Sequence, residues 1–202
     1  MNSHFPSRQP PMPPGVEAGI LAGMYRLPPQ AGEGKPGAPR VQLLGSGAIL
    51  REVVAAAGLL RADWGVEADL WSCPSFTLLA RDGQAAERAN RLHPAEPPRR
   101  SHVEACLAGT TGPVVAATDY VRAFAEQIRP WVGRRYLVLG TDGFGRSDTR
   151  EKLRRFFEVD RQHVAVAALK ALADDGALPA ATVAEAISKY GLDAESPPPW
   201  TV

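Results

Sequence analysis

The sequence predicts an α/β fold: a three-layer α/β/α sandwich with a mainly parallel, mixed sheet. Short apolar runs of strand length alternate with runs of helical period, which calls for parallel strands covered on both faces. Glycine, proline or a capping residue separates one run from the next. The last third carries helical period alone.

Nine of the nineteen prolines and six glycines fall in residues 1–40, so much of that stretch is a poor former of regular structure and residues 1–15 are expected to be a flexible Pro-rich tail. Gly23–Leu27 (GMYRL) is expected to form a short strand, antiparallel to the clearer strand Val41–Leu44 across a long loop. A helix from Ala48 to Asp63 follows, because Ile49, Leu50, Val53, Val54, Ala57 and Leu60 recur at spacings of three and four, and Gly65 ends it. Asp69–Cys73 then completes a βαβ unit. Next come a helix over Thr77–Arg91, the loop HPAEPPRR, a short helix at His102–Leu107 and a strand at Val114–Ala117. Asp119 is placed to cap a helix burying Val121, Phe124, Ala125 and Ile128 and stopping at Pro130, before the strand Tyr136–Leu139. Three helices close the domain. Asp148 with Glu151 resembles a capping box, Asp160 caps a helix ending at Gly176, and Pro179 and Gly191 bracket a helix that buries Val183, Ile187 and Tyr190. The domain is expected over 16–192, with a second Pro-rich tail over 193–202.

Lys+Arg 23 against Asp+Glu 22 leaves a formal charge of +1, so the composition offers no general grip on nucleic acid. No apolar run approaches the roughly 18 residues of a membrane span, and the opening lacks the basic start and apolar core of a secretory signal, so a cytoplasmic location is expected. Cys73 and Cys106 read as reduced, packed thiols.

Two loops attract attention. LGSG at 44–47 lies between a strand and a helix, where a phosphate loop would sit, but the third fingerprint glycine and any P-loop lysine are missing. A tight βα turn is the preferred reading. GTDGFGRSD at 140–148 follows a strand at the end where α/β sheets bind ligands. Thr141, Asp142, Ser147 and Asp148 offer oxygen ligands without the spacing of an EF-hand, so a structural turn or an interface outweighs direct ligand chemistry. The histidines have no metal-site spacing and no serine lies in a nucleophile elbow, so neither a metal site nor a catalytic residue is assigned.

The segments GAILREVVAAAGLL (47–60), DLWSCPSFTLLARDGQAAERANRLHP (69–94), VVAATDYVRAFAEQI (114–128) and YLVLGTDGFGRSDTREKLRRFFEVD (136–160) resemble the C-terminal domain of the homodimeric bacterial pyruvate dehydrogenase decarboxylating component. QPPMPPGVEAGILAGMYRL (9–27) is similar to the segment that enters that domain. The resemblance implies a transketolase C-terminal-domain-like fold, in an enzyme whose thiamine diphosphate and magnesium are held by two upstream domains. It also implies that this chain alone is inactive and supports oxidative pyruvate decarboxylation and acetyl transfer to the lipoyl acyltransferase component. The expected partners are the upstream thiamine-binding domains, in the same chain or a companion subunit, and a second copy in a homodimer; the acyltransferase is met indirectly. No cofactor-binding or catalytic residue is carried over. The candidate interface is the loop Thr141, Asp142, Gly143, Phe144, Gly145, Arg146, Ser147 and Asp148, with His93 in a second loop facing a neighbour. A non-catalytic module that regulates the intact enzyme or senses a small ligand is the alternative, and an enzyme using LGSG as a phosphate site ranks last. Surface normally covered by neighbours is expected to leave an apolar patch and to drive self-association.

Overall fold

The computed structural model describes residues 12–29 and 37–202. Most of the expected opening tail, and much of the loop before the second strand, therefore lie outside the described residues. The elements are α1 (Glu17–Ala22), β1 (Tyr25–Arg26), β2 (Arg40–Gly45), α2 (Leu50–Trp64), β3 (Glu67–Ser72), α3 (Phe76–Leu92), α4 (His102–Leu107), β4 (Val114–Ala117), α5 (Arg122–Glu126), β5 (Tyr136–Leu139), α6 (Arg150–Phe156), α7 (Arg161–Asp174) and α8 (Ala180–Lys189). The five strands form one sheet in the order β1-β3-β2-β4-β5, parallel except for β1.

The side-chain alternation of the strands divides the interior into two apolar layers. Val41, Leu43, Val115 and Ala117 pack against α2, α7 and α8, with Leu60, Val164, Ala168, Leu169 and Leu172 fully or almost fully buried. From the other face Leu44, Trp71, Val114 and Ala116 meet α3, α4 and the segment after α5, where Phe76, Leu79, Val103 and Ile128 are buried. This is the three-layer sandwich with a mixed sheet.

Several expectations need correction. The early strand β1 pairs antiparallel with β3, Tyr25 opposite Ser72, and not with the strand at Val41–Leu44. The reason is that β2 has both edges occupied, by β3 and β4, so the free edge belongs to β3. The six-residue α1 was not anticipated; it buries no side chain and ends on Gly23 in the left-handed conformation. Asp119 does not cap α5, whose N-cap is Val121 without a side-chain bond. Nor does that helix run to Pro130: it ends at Glu126, and Pro130 sits in a separate 3-10 turn at Arg129–Trp131. Val121 and Phe124 are exposed, and only Ala125 and Ile128 of the expected face are buried. α6 is capped by Thr149, whose Oγ1 accepts from Lys152 N at 3.4 Å, and not by an Asp148–Glu151 box.

At the domain's end the chain does not run free. Pro199 is buried within a 3-10 turn at Pro199–Thr201 that lies against Gly143.

A candidate interface at the carboxyl end of the sheet

All four parallel strands end at one edge, where their following loops gather. β2 and β4 lie side by side there while the helices that follow them, α2 and α5, leave on opposite faces, which makes the gap between them the switch point at which α/β sheets usually bind ligands. Here the chain fills that gap itself. Asp119 Oδ2 accepts from Ala48 N at 3.1 Å, at the start of the helical turn where a phosphate would be expected, and Gly47 takes a positive φ of 55° directly beside the carboxylate. A Cβ at Gly47 would collide with Asp119. Such a carboxylate uses the donor and repels a second anion, so LGSG is a βα turn closed by an internal ligand.

The 140–148 loop is pinned to the β4–α5 connection. Thr141 N donates to Tyr120 O at 2.9 Å and Thr141 Oγ1 to Asp119 O at 2.9 Å. Asp142 Oδ2 accepts from both the backbone N and the Nε of Arg122, each at 3.1 Å. The same guanidinium stacks on the Trp200 ring at 4.4 Å, tying the chain's end to the loop. Gly143 has φ of 121° and its missing Cβ would lie 2.5 Å from Pro199 O, so the tail can settle only on a glycine. Beyond it Phe144 is 81% exposed and Arg146 lies over the Phe156 ring at 4.3 Å. Gly145 and Ser147 are exposed, and Asp148 accepts from Thr149 N at 2.7 Å. Thus Thr141, Asp142 and Gly143 are fixed, whereas Phe144 projects outward.

His93 is not part of this cluster. α3 begins at the carboxyl end of β3 and runs back along the sheet, so its C-cap His93 lies at the opposite end, exposed and 3.5 Å from Glu96. The residues of this cluster that the sequence reading missed are Tyr120, Arg122, Phe124 and Trp200. The pair Tyr120 and Phe124, four apart, carried a signal; the structure stacks their rings edge-on at 5.1 Å.

Nothing in this arrangement pairs an acid with a base or nucleophile. Cys106 Sγ lies 3.4 Å from His102 Nε2, but that nitrogen also contacts Met24 O at 2.8 Å, and a carbonyl there calls for an N–H rather than a free base. Burial pushes both the Cys106 and Cys73 thiols up, away from a reactive thiolate. Among the described residues no three His, Cys, Asp or Glu side chains converge to hold a metal ion.

A family model described as the transketolase-like TK C-terminal domain matches residues 23–160. The chain belongs to that family. Among curated relatives of this transketolase-like domain, it is 64% identical over all 202 residues to the pyruvate dehydrogenase E1 component of Cupriavidus necator, covering 22% of that protein. It is 61% identical over 188 residues to the Pseudomonas aeruginosa E1 component and 51% over 195 residues to that of Escherichia coli K12, covering 93% and 96% of this chain and 21% of each relative. The chain thus spans about a fifth of the length of these relatives, matching their C-terminal portion. A Pichia stipitis transketolase crystal structure superposes with a TM-score of 0.50 at 20% identity, over 76% of this chain and 18% of that one, and shows the fold. No helix among the described residues is long and apolar enough to cross a membrane.

The thiamine diphosphate and magnesium that this family implies do not fit the residues present. The switch-point donor already holds Asp119, and among the described residues no cluster of carboxylates converges to hold a magnesium ion.

Proposed function

We propose that this chain, with its domain over 16–192, is the C-terminal supporting domain of a pyruvate dehydrogenase decarboxylating component. It works in the cytoplasm beside polypeptide that holds thiamine diphosphate and magnesium. The observation that carries this is the 64% identity along the whole chain to the E1 component of Cupriavidus necator, of which it spans only 22%. With its carboxylates at this end engaged by Ala48 N and Arg122 and no acid–base or base–nucleophile pair among them, the chain does not decarboxylate pyruvate alone. Its contribution is a rigid lobe whose 141–148 loop and His93 loop face neighbours, supporting pyruvate oxidation and acetyl transfer to the lipoyl acyltransferase in an assembly that is itself dimeric.

Reconstitution tests this. Mixing the purified chain with the Cupriavidus relative truncated before the matched portion is expected to give a complex with pyruvate-dependent acetyl transfer well above that of either piece. A mixture that neither associates nor gains activity refutes the supporting-domain assignment. A chain that instead binds the intact relative and lowers its rate is a regulator.

A further inference from the structure

The exposed apolar side chains of this domain lie overwhelmingly at one end. Of the ten large ones exposed among the described residues, seven lie at the carboxyl end of the sheet. Tyr120, Val121 and Phe124 flank the start of α5, Phe144 stands on the 140–148 loop, and Trp200 is stacked on Arg122. Toward β3 the same end carries Leu21 of α1 and Leu78 in the first turn of α3. Leu92, at the far end of α3, lies at the opposite edge, where the loop after it is charged and Pro-rich. Five strands at roughly 4.8 Å spacing make this end about 20 Å across. Seven exposed apolar side chains gathered at one end of the sheet mark a binding face rather than scattered exposure.

Three separate chain segments are locked together to build it. Arg122 joins Asp142 on the loop to Trp200 on the tail, Gly143 admits the tail, and Thr141 is bonded to the Asp119–Tyr120 backbone. A face already fixed before contact loses little further freedom on docking.

We infer that this aromatic end is the docking face for the polypeptide corresponding to the four-fifths of the relatives that the chain does not span, which deepens the supporting-domain assignment above and rests on it. The direction of the chain says what covers it. β1 is antiparallel to β3 with Tyr25 opposite Ser72, the last residue of β3, so α1 before it lies beyond the carboxyl end, and Ser75 N donates to Gly23 O there. Polypeptide that precedes this domain in the longer relatives is therefore delivered onto the apolar end and not onto the charged one.

The test measures binding of the full chain to the Cupriavidus necator E1 component truncated before the matched portion, by biolayer interferometry, with self-association followed by sedimentation. Phe144→Asp and Phe124→Asp are compared with Leu92→Asp as the opposite-end control, and circular dichroism checks folding. Phe144 is 81% exposed, so its replacement leaves the core untouched. The expected result is binding weakened at least tenfold by each aromatic substitution and changed less than twofold by Leu92→Asp. If the wild-type chain binds and the aromatic variants bind equally well, the docking face is elsewhere while the supporting-domain assignment stands. If those variants abolish a dimer of the chain yet leave binding to the truncated relative unchanged, the face belongs to a second copy and the inference is overturned. If the wild-type chain does not bind at all, both fall.

Discussion

Glu52 of α2 is 4% exposed and is held by two arginines from the following helices. Its Oε1 accepts from Arg154 Nη1 at 2.7 Å and its Oε2 from Arg161 Nε at 2.9 Å, while Arg161 N donates to Oε2 at 3.2 Å. One carboxylate thus joins α2 to α6 and to the first turn of α7. Burial pushes the Glu52 carboxyl up, but the bonds and charge of Arg161 and the charge of Arg154 outweigh it and hold the group below its ordinary value of 4.5. Asp160, which caps α7 through His163 N at 2.9 Å, is likewise pushed up by burial, but the bonds and charge of His163 and the charge of Arg155 outweigh it and hold the group below its ordinary value of 3.8. A carboxylate depressed in the folded state binds fewer protons there than in the unfolded chain. Its stabilisation is complete above the unfolded value and lost as pH falls through the folded one. Thermal melts are expected to hold steady from pH 7 to about 5 and then to drop. Glu52→Gln is expected to cost about 2–4 kcal/mol at pH 7, because two guanidinium groups lose their anion, and to flatten the acid limb. A variant with the wild-type melting temperature and acid profile would show that the network holds nothing together.

Between α6 and α7 the chain turns on Glu158, the non-glycine residue with positive φ, 57°, among those described. Glu158 N donates to Arg155 O at 3.2 Å and Val159 N to Arg154 O at 2.9 Å, so the turn satisfies the last carbonyls of α6 and sends Asp160 into its capping position. The left-handed conformation costs a side-chain-bearing residue about 1–2 kcal/mol, partly offset in a glycine variant by a looser unfolded chain. Glu158→Gly is therefore expected to leave stability unchanged or raise it by up to about 1 kcal/mol in urea titrations. Glu158→Val is expected to lower it by about 1–2 kcal/mol; equal midpoints for the two would mean that the turn is unstrained. At this scale the sequence was most legible where period and punctuation agreed: α2 with Gly65, α4 at His102–Leu107, and the strands Val114–Ala117 and Tyr136–Leu139. It was least legible where a choice depended on distant partners. Asp119 has the chemistry of a helix cap, yet it serves Ala48, 71 residues away in sequence. Thr149 took the cap that Asp148 was equally fitted for, and Phe124 kept a helical spacing while the layer beneath α5 had room only for Ala125 and Ile128.

Over the whole molecule, alternation of strands and helices was enough to predict two covered faces and a mixed sheet. The order of the strands was not, because β1 is only two residues long and its register depends on which edge remained free after the βαβ unit formed. The candidate interface was legible in part. The glycines and aspartates of 140–148 marked a structured loop, but the contribution of Trp200 arises from a contact between segments more than fifty residues apart, which no local pattern records. Trp200 also has an optical consequence. Of the four tryptophans Trp71 and Trp131 are buried and Trp64 is half-buried, leaving Trp200, 49% exposed, as the indole most open to solvent. Acrylamide is expected to quench a red-shifted component of the intrinsic emission that disappears in Trp200→Phe. When the truncated relative binds, that component should shift to the blue and become shielded, so the protein carries its own unlabelled reporter of assembly.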